Sequence, residues 1–170
     1  MASIQLGKES WAKMGFCMRA VIQRVLRAEV RVEDQVVGRV GRGLLVLVGF
    51  ATGDTPELGR AMAEKIVNLR VFDNEDGKMD RSILETGGGL LVLSQFTLYG
   101  DCRKGRRPSY SRAASPESAR PLFQAFLITL RDLVLTRNIT LSEGQFQAMM
   151  EVESVNDGPV TLLLDSEKIF

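Results

Sequence analysis

The run Leu44–Phe50 restricts the fold of this chain more than any other segment, because it is apolar at every position except Gly49. A strand with one face in water alternates apolar and polar residues, whereas a strand covered on both faces is often apolar throughout. The run is also far shorter than the roughly 20 residues that a membrane span needs. We therefore expect a central, fully buried strand in a protein that does not enter a membrane.

Short strand-like segments lie on both sides of this run, namely Arg19–Leu26, Ala28–Val32, Val36–Val40, Leu90–Leu98, Phe146–Val155 and Val160–Leu164. Two further segments, Thr55-Pro56-Glu57 and Ser115-Pro116-Glu117, have the capping hydroxyl, proline and acid that are typical of a helix start. Pro121 predicts a kink or a tight first turn in the second helix. The predicted fold is mixed α/β, with a strongly curved, partly barrel-like, largely antiparallel sheet and two main helices.

A length of 170 residues is typical of one domain. Residues 1–17 lack the apolar segment and cleavage site of a secretory signal, so we interpret them as an N-terminal extension that is disordered or precedes the native start at Met18. Residues 18–170 then form a single domain. Lys and Arg total 22 against 21 Asp and Glu, a net charge of +1, so any site for nucleic acid must be a local basic patch.

The chain contains no histidine, which excludes Ser-His-Asp triads, Cys-His dyads and histidine-ligated zinc. Its two cysteines, Cys17 and Cys102, are far apart and have no partner at metal-ligand spacing. We therefore expect no metal and no cofactor. Two unpaired thiols indicate a reducing compartment, the cytoplasm.

Two polar segments interrupt the strand-like sequence. In Ser94-Gln95-Phe96-Thr97, the polar side chains would converge only at a strand end or a bulge, because neighbours on a regular strand point to opposite faces. Asn156-Asp157-Gly158-Pro159 is composed of turn residues, but its glycine permits close backbone approach and its X-Pro bond is of the kind that adopts the cis form. Considered separately, residues 94–97 are typical of an ordinary strand and residues 156–159 of a hairpin turn.

A third segment, residues 103–112, carries five positive charges and one aromatic ring, that of Tyr110. Arginine pairs with phosphate oxygens and an aromatic ring stacks on bases, although many basic loops are only solvated. This loop predicts weak, salt-sensitive contact with RNA.

Together these segments resemble the D-aminoacyl-tRNA deacylase family. The resemblance rests on Ser94-Gln95-Phe96-Thr97 followed by Asn156-Asp157-Gly158-Pro159-Val160-Thr161, supported by Ile22-Gln23-Arg24-Val25 and Arg107-Pro108-Ser109-Tyr110. It runs over residues 18–165. It implies a homodimer, with active sites at the subunit interface, that acts in translation quality control. Such an enzyme hydrolyses the ester of a D-amino acid, or of glycine, with tRNA and spares L-aminoacyl-tRNA.

The resemblance also assigns roles to individual residues. The catalytic set is Ser94, Gln95, Phe96 and Thr97, and the substrate-binding set is Gly158, Pro159, Phe146, Met150 and Arg24. Gly158-Pro159, held cis and steadied by Arg24, is implied to enter the active site of the partner subunit. The RNA-binding set is Arg103, Lys104, Arg106, Arg107 and Tyr110.

An aminoacyl ester is already activated, so its hydrolysis is compatible with a chain without histidine. Backbone N–H groups near Phe96 and Thr97 are candidates for stabilising the oxyanion, and the ribose 2′-hydroxyl of the RNA is a candidate for assisting water. Thr97 has no base beside it in the sequence, so we favour a positioning role for its hydroxyl. Two alternatives stay open: a non-catalytic RNA-binding module that uses the 103–112 loop, and a small-molecule hydrolase with Ser94 as nucleophile.

Overall fold

The computed structural model describes residues 17–167, so that residues 1–16, which make up nearly all of the predicted extension, lie outside the described residues, as do residues 168–170. The strands are β1 (Arg19–Val32), β2 (Gln35–Val40), β3 (Gly43–Gly49), β4 (Phe72–Asp73), β5 (Met79–Arg81), β6 (Gly88–Ser94), β7 (Ile139–Glu143) and β8 (Glu151–Asp165). The helices are α1 (Pro56–Val67), α2 (Ile83–Thr86) and α3 (Pro116–Val134), with a 3-10 helix at Phe96–Tyr99.

The predicted central strand is confirmed as β3, which is buried at every position except Leu47. The main sheet has the order β2-β1-β3-β6-β7, and β8 pairs with β1 outside this path. The three pairs that involve β1 are antiparallel, whereas β3–β6 and β6–β7 are parallel. The sheet is therefore mixed and largely antiparallel, as predicted.

The two ends of the sheet path approach each other. The Ser142 hydroxyl on β7 donates to the Arg39 carbonyl on β2 at 2.9 Å, and a Cβ added to Gly38 would lie 2.8 Å from the Glu143 carbonyl oxygen. The enclosed side is filled by apolar residues that include Val30 and Leu91. The sheet thus nearly closes as a barrel, and only a glycine fits where the two edges meet.

Both predicted helix starts are confirmed. The Thr55 hydroxyl accepts from the Leu58 N–H at 3.5 Å and the Ser115 hydroxyl from the Ser118 N–H at 3.4 Å. The buried faces of α1 and α3 cover the side of the sheet that lies outside the barrel, and they form the larger core cluster with it. Helix α3 continues through Pro121. None of the helices within residues 17–167 has the length and apolarity that crossing a bilayer requires.

Three predicted boundaries in the first and last strands are wrong. Arg19–Leu26 and Ala28–Val32 form one strand, β1, because β1 pairs with β8 on both sides of residues 26 and 27. The predicted turn at residues 156–159 lies inside one continuous strand, β8, for the same reason. Strand β8 begins only at Glu151, and the preceding residues from Phe146 form a loop in which Gln147 has a φ of +66°.

Candidate active site

The 94–97 segment lies where β6 ends. Strand β6 stops at Ser94 and the chain enters the 3-10 helix at Phe96, so the predicted strand to Leu98 is too long. The side-chain amide of Gln95 donates to the hydroxyl oxygen of Thr97. The segment thus lies at a strand end, the condition under which its polar side chains can converge, and Gln95 and Thr97 are in contact there.

Tyr99 holds this turn in place through its buried ring and its hydroxyl. Its ring is buried, and its hydroxyl lies against the carbonyl oxygens of Cys17 and Gly49, at 3.1 Å from the latter. Burial raises the pKa of the Tyr99 hydroxyl, which therefore stays protonated as a donor. The Arg19 guanidinium lies 5.1 Å from the centre of this ring and donates to the Leu98 carbonyl at 2.8 Å. The buried Tyr99 side chain and the Arg19 guanidinium therefore both hold the end of the turn, at Leu98 and Tyr99, in place.

A cavity of about 690 Å³ opens beside the turn. Seven of the predicted site residues line it, namely Ser94, Gln95, Phe96, Thr97, Tyr110, Phe146 and Met150. Most of the remaining lining residues are apolar, such as Val48, Leu93 and Ala114. A mainly apolar pocket with a few polar groups at one end is typical of a small-ligand site.

One wall of the cavity is the loop at residues 144–150. The Phe146 ring packs against Phe123 at 5.8 Å between centroids, and the Arg120 guanidinium lies 4.7 Å from its centre. Arg120 also donates to the Gln147 side-chain oxygen at 3.2 Å. Phe146 and Met150 therefore line the cavity as predicted, but from this loop rather than from a strand.

The basic loop reaches the cavity through Tyr110, whose ring meets the Phe96 ring edge to face at 5.2 Å. Arg103 is engaged elsewhere, because its Nε donates to Asp101 at 2.9 Å, and this bond holds the pKa of the Asp101 carboxyl well below its usual range. Among residues 17–167, Lys104, Arg106 and Arg107 have no ion-pair partner. Within the described residues, three of the four cations predicted to bind RNA are therefore not engaged in ion pairs.

Residues 157–160, which we call the 157–160 corner, form the other part of the predicted site. Val25 pairs with Asn156 and Gln23 with Thr161, so four residues of β8 stand opposite Arg24 alone. The Gly158-Pro159 bond is cis, as the resemblance implied, and both residues are exposed. Neither of them lines the cavity described above.

Two side chains hold the corner. The Arg24 side chain is only 7% exposed, and its Nε donates to the Asp157 carbonyl at 3.2 Å and lies 3.2 Å from an Asp157 carboxylate oxygen. The Asn156 side-chain oxygen accepts from the Val160 N–H at 2.9 Å, which closes the neck of the bulge. The predicted proximity of Arg24 to this motif is confirmed.

Residues 21–165 match the sequence model of a family described as D-Tyr-tRNA(Tyr) deacylase. The chain belongs to this deacylase family. The D-aminoacyl-tRNA deacylase of Thermosipho africanus (strain TCF52B) is 54% identical over 153 residues, which are 90% of this chain and 100% of that protein. The corresponding enzyme of Desulforamulus reducens has the same identity and coverage. The expectation of a hydrolase of the deacylase family is therefore confirmed.

Solved structures agree with this family assignment. The structure of the c-Myc DNA unwinding element binding protein has a TM-score of 0.78 and 39% identity, and covers 86% of this chain and 97% of its own. A probable eukaryotic D-amino acid tRNA deacylase has a TM-score of 0.75 and covers 88% of this chain and 99% of its own. At 18% identity, the second likeness shows the deacylase fold alone.

Sequence reasoning assigned no role to four residues that build the site, namely Arg19, Tyr99, Asn156 and Asp73. The Asp73 carboxylate, for example, lies 3.3 Å from Nη1 of Arg24. No local pattern signals this contact, because the two residues lie on different strands. Residues 17–167 contain no cluster of three or more potential metal ligands.

Proposed function

We propose that this deacylase hydrolyses the ester of D-aminoacyl-tRNA, and of glycyl-tRNA, to free amino acid and tRNA. We further propose that the 157–160 corner of a partner subunit excludes L-amino acids. The first proposal rests on the cavity beside the end of β6, which we call the β6-end cavity, in a chain that matches deacylases along most of its length. The remaining steps follow from the chemistry of that cavity.

Two backbone donors support an oxyanion site in the cavity. Within the described chain, the N–H groups of Phe96 and Thr97 have no acceptor, because the 3-10 helix begins there and the first amides of a helix have no partner inside it. When water attacks the ester carbonyl, negative charge develops on the carbonyl oxygen. A single well-placed donor to that oxygen is worth roughly 3 kcal/mol. The ester bond then breaks, and the ribose oxygen of the tRNA leaves with a proton.

The Thr97 hydroxyl is proposed to position water or substrate rather than to attack. Its oxygen already accepts from Gln95, and no histidine is present in the chain to remove its proton. Thr97→Ala should therefore keep kcat within about tenfold of the parent, which is less than the roughly 100-fold or larger loss that removal of a general base causes. Complete loss of turnover together with a trapped acyl-enzyme in the parent would contradict this role.

A homodimer would unite the cavity and the corner. Leu47, Val21 and Leu163 form one row across β3, β1 and β8 on the side of the sheet without helices, and Leu163 is 53% exposed. Met149, beside the cavity, is 92% exposed. Exposed apolar side chains on the helix-free side of the sheet and beside the cavity support a subunit interface there. Gly158 and Pro159 of one subunit would then meet the cavity of the other.

Rejection of L-amino acids is proposed to be steric. A rigid backbone at the corner would occupy the space that an L side chain needs, whereas a D side chain or glycine would avoid it. Side-chain identity should then have little effect on hydrolysis. The basic loop is proposed to contact the RNA backbone through Lys104, Arg106 and Arg107, with Tyr110 against a base.

The deciding assay measures release of tyrosine from D-tyrosyl-tRNA, with L-tyrosyl-tRNA and glycyl-tRNA as parallel substrates. We expect release from the D-ester and the glycyl ester and almost none from the L-ester. Equal binding of all three without cleavage would instead support a non-catalytic nucleic-acid-binding module, an alternative favoured by the likeness to the c-Myc DNA unwinding element binding protein. Labelling of Ser94 by a fluorophosphonate probe would support a serine hydrolase.

A further inference from the structure

The guanidinium of Arg24 has contacts on two sides, and only one of them is the 157–160 corner. Its Nη1 donates to the Val71 carbonyl at 2.7 Å and lies 3.3 Å from a carboxylate oxygen of Asp73. Its Nε faces Asp157, and a Cβ added to Gly158 would lie 3.4 Å from its Nη2. Nη1 and Nε are thus engaged by groups from separate parts of the chain, and Nη2 lies beside Gly158.

The segment that contacts Nη1, which contains Val71 and Asp73, is fixed by its packing. Val71 and Phe72 are buried in the larger core cluster, and Phe72 pairs with Arg81 in the β4–β5 hairpin. The Asp73 carboxylate is more exposed, at 42%, than that of Asp157, at 25%. A buried guanidinium needs charge compensation, and two carboxylates on opposite sides fix its position better than one.

We infer that Asp73 is a positioning residue for the 157–160 corner and acts through Arg24. The inference rests on the proposed function of that corner in rejecting L-amino acids. Val71 and Asp73 hold Nη1 in place, and this fixes Nε against the Asp157 carbonyl. Without the Asp73 charge, the guanidinium is free to shift towards Asp157, and the corner shifts with it. The hairpin therefore influences substrate selection although none of its residues lines the cavity.

The test compares Asp73→Asn with Asp76→Asn, a matched acid-to-amide change in the same hairpin. Asp76 has no side-chain contact within residues 17–167. For each variant, kcat/KM is measured for D-tyrosyl-tRNA and L-tyrosyl-tRNA, and the unfolding free energy is measured by urea denaturation. We expect Asp73→Asn to lower the D/L ratio about tenfold, mainly through faster hydrolysis of the L-ester, which is the effect of one charge-assisted bond. Asp76→Asn should leave the ratio unchanged, and Asp73→Glu should restore part of it.

Two outcomes separate this inference from the proposed function. If Asp73→Asn lowers the unfolding free energy but leaves the D/L ratio at the parent value, while Gly158→Ala changes that ratio, Asp73 is only structural and the inference is wrong. If neither Asp73→Asn nor Gly158→Ala changes the ratio, the corner does not select the substrate and the proposed function of the corner fails first. A fall in the ratio for both variants supports both statements.

Discussion

The β6-end cavity and the 157–160 corner are built in opposite ways. The cavity is concave and is lined by side chains from several segments, with two backbone N–H groups that have no acceptor among residues 17–167. The corner is convex and exposed, and what it presents is backbone held from beneath by Arg24 and across its neck by Asn156. The cavity has the form of a binding site, whereas the corner has the form of a rigid surface suited to packing against another molecule.

Under the proposed function, this difference separates the residues of the reaction from those of substrate selection. A cavity with polar donors at one end favours the transition state of ester hydrolysis. A fixed convex backbone contributes no group to the reaction, but it limits which shapes fit beside it. Changes in the first region should therefore alter rate, and changes in the second should alter the D/L ratio, provided that the two regions meet between subunits.

The most disruptive test of this comparison removes the proposed subunit contact. Leu163→Asp places a charge in the apolar row on β8 and should reduce D-tyrosyl-tRNA hydrolysis by at least about 100-fold, because an unpaired charge in an apolar interface is costly and the site then loses one half. The control is Leu135→Asp, at an equally apolar residue that is 78% exposed at the end of α3. Analytical ultracentrifugation should show a monomer only for Leu163→Asp. A fully active monomer would show that the two regions work within one chain.

A smaller effect is expected from a change in the corner itself. In Gly158→Ala the new Cβ would lie 2.7 Å from Val160 Cγ2, and the φ of +128° is one that alanine rarely adopts, so the backbone must move. We expect the D/L ratio of kcat/KM to fall by about 10- to 100-fold, since displacements of about 1 Å have effects of that size. The ratio is measured with D- and L-tyrosyl-tRNA. A proportional loss for both esters would instead place the corner in the reaction.

The basic loop should influence binding more than either rate or selectivity. The double variant Arg106→Ala/Arg107→Ala should raise KM about tenfold and reduce the salt dependence of log KM by a slope of about 1.5, because each phosphate contact releases somewhat less than one counterion. Arg60→Ala/Arg131→Ala, which removes two ion-paired arginines from α1 and α3, is the matched control. An unchanged salt slope in the loop variant would exclude phosphate contact by these residues.

The smallest effect concerns stability. The Asp54 carboxyl is buried and accepts from the Ala51 N–H at 2.7 Å, and its other oxygen has no hydrogen-bond partner in the described part of the chain. Burial raises its pKa from 3.8 to about 6. A raised pKa means that the protonated form is favoured by folding, so its stabilisation is complete below pH 4 and is lost as pH rises through 6.

Asp54→Asn should therefore increase the unfolding free energy above pH 6 by about 1 kcal/mol and should flatten the fall between pH 4 and 6. Urea denaturation of parent and variant at a series of pH values measures this, and the difference between the two proteins isolates Asp54 from the other carboxyls that titrate in that range. An identical pH dependence of parent and variant between pH 4 and 6 would contradict the raised pKa of Asp54.

Much of the architecture was predictable from local patterns. Leu44–Phe50 predicted the buried central strand, and Thr55 and Ser115 predicted the two helix starts, because apolar runs and capping residues act within a few positions of themselves. Side-chain alternation indicated that the polar residues of 94–97 converge only at a strand end or a bulge, and β6 does end at Ser94. The boundaries at residues 146–159 were wrong, because β8 continues through its bulge by pairing with β1, which lies more than a hundred residues earlier in the chain.

The sequence by itself determined the family, the buried strand, the helix starts and the residue types available for chemistry, since each of these depends on side-chain order along a short stretch. Only the tertiary structure decided which segment holds the corner and how the cavity is walled. Arg24 reaches Asp73 and Asp157 at once because a curved sheet brings the core hairpin and the last strand to either side of β1. Distances between such remote residues are fixed by packing of the whole chain, and no local pattern records them.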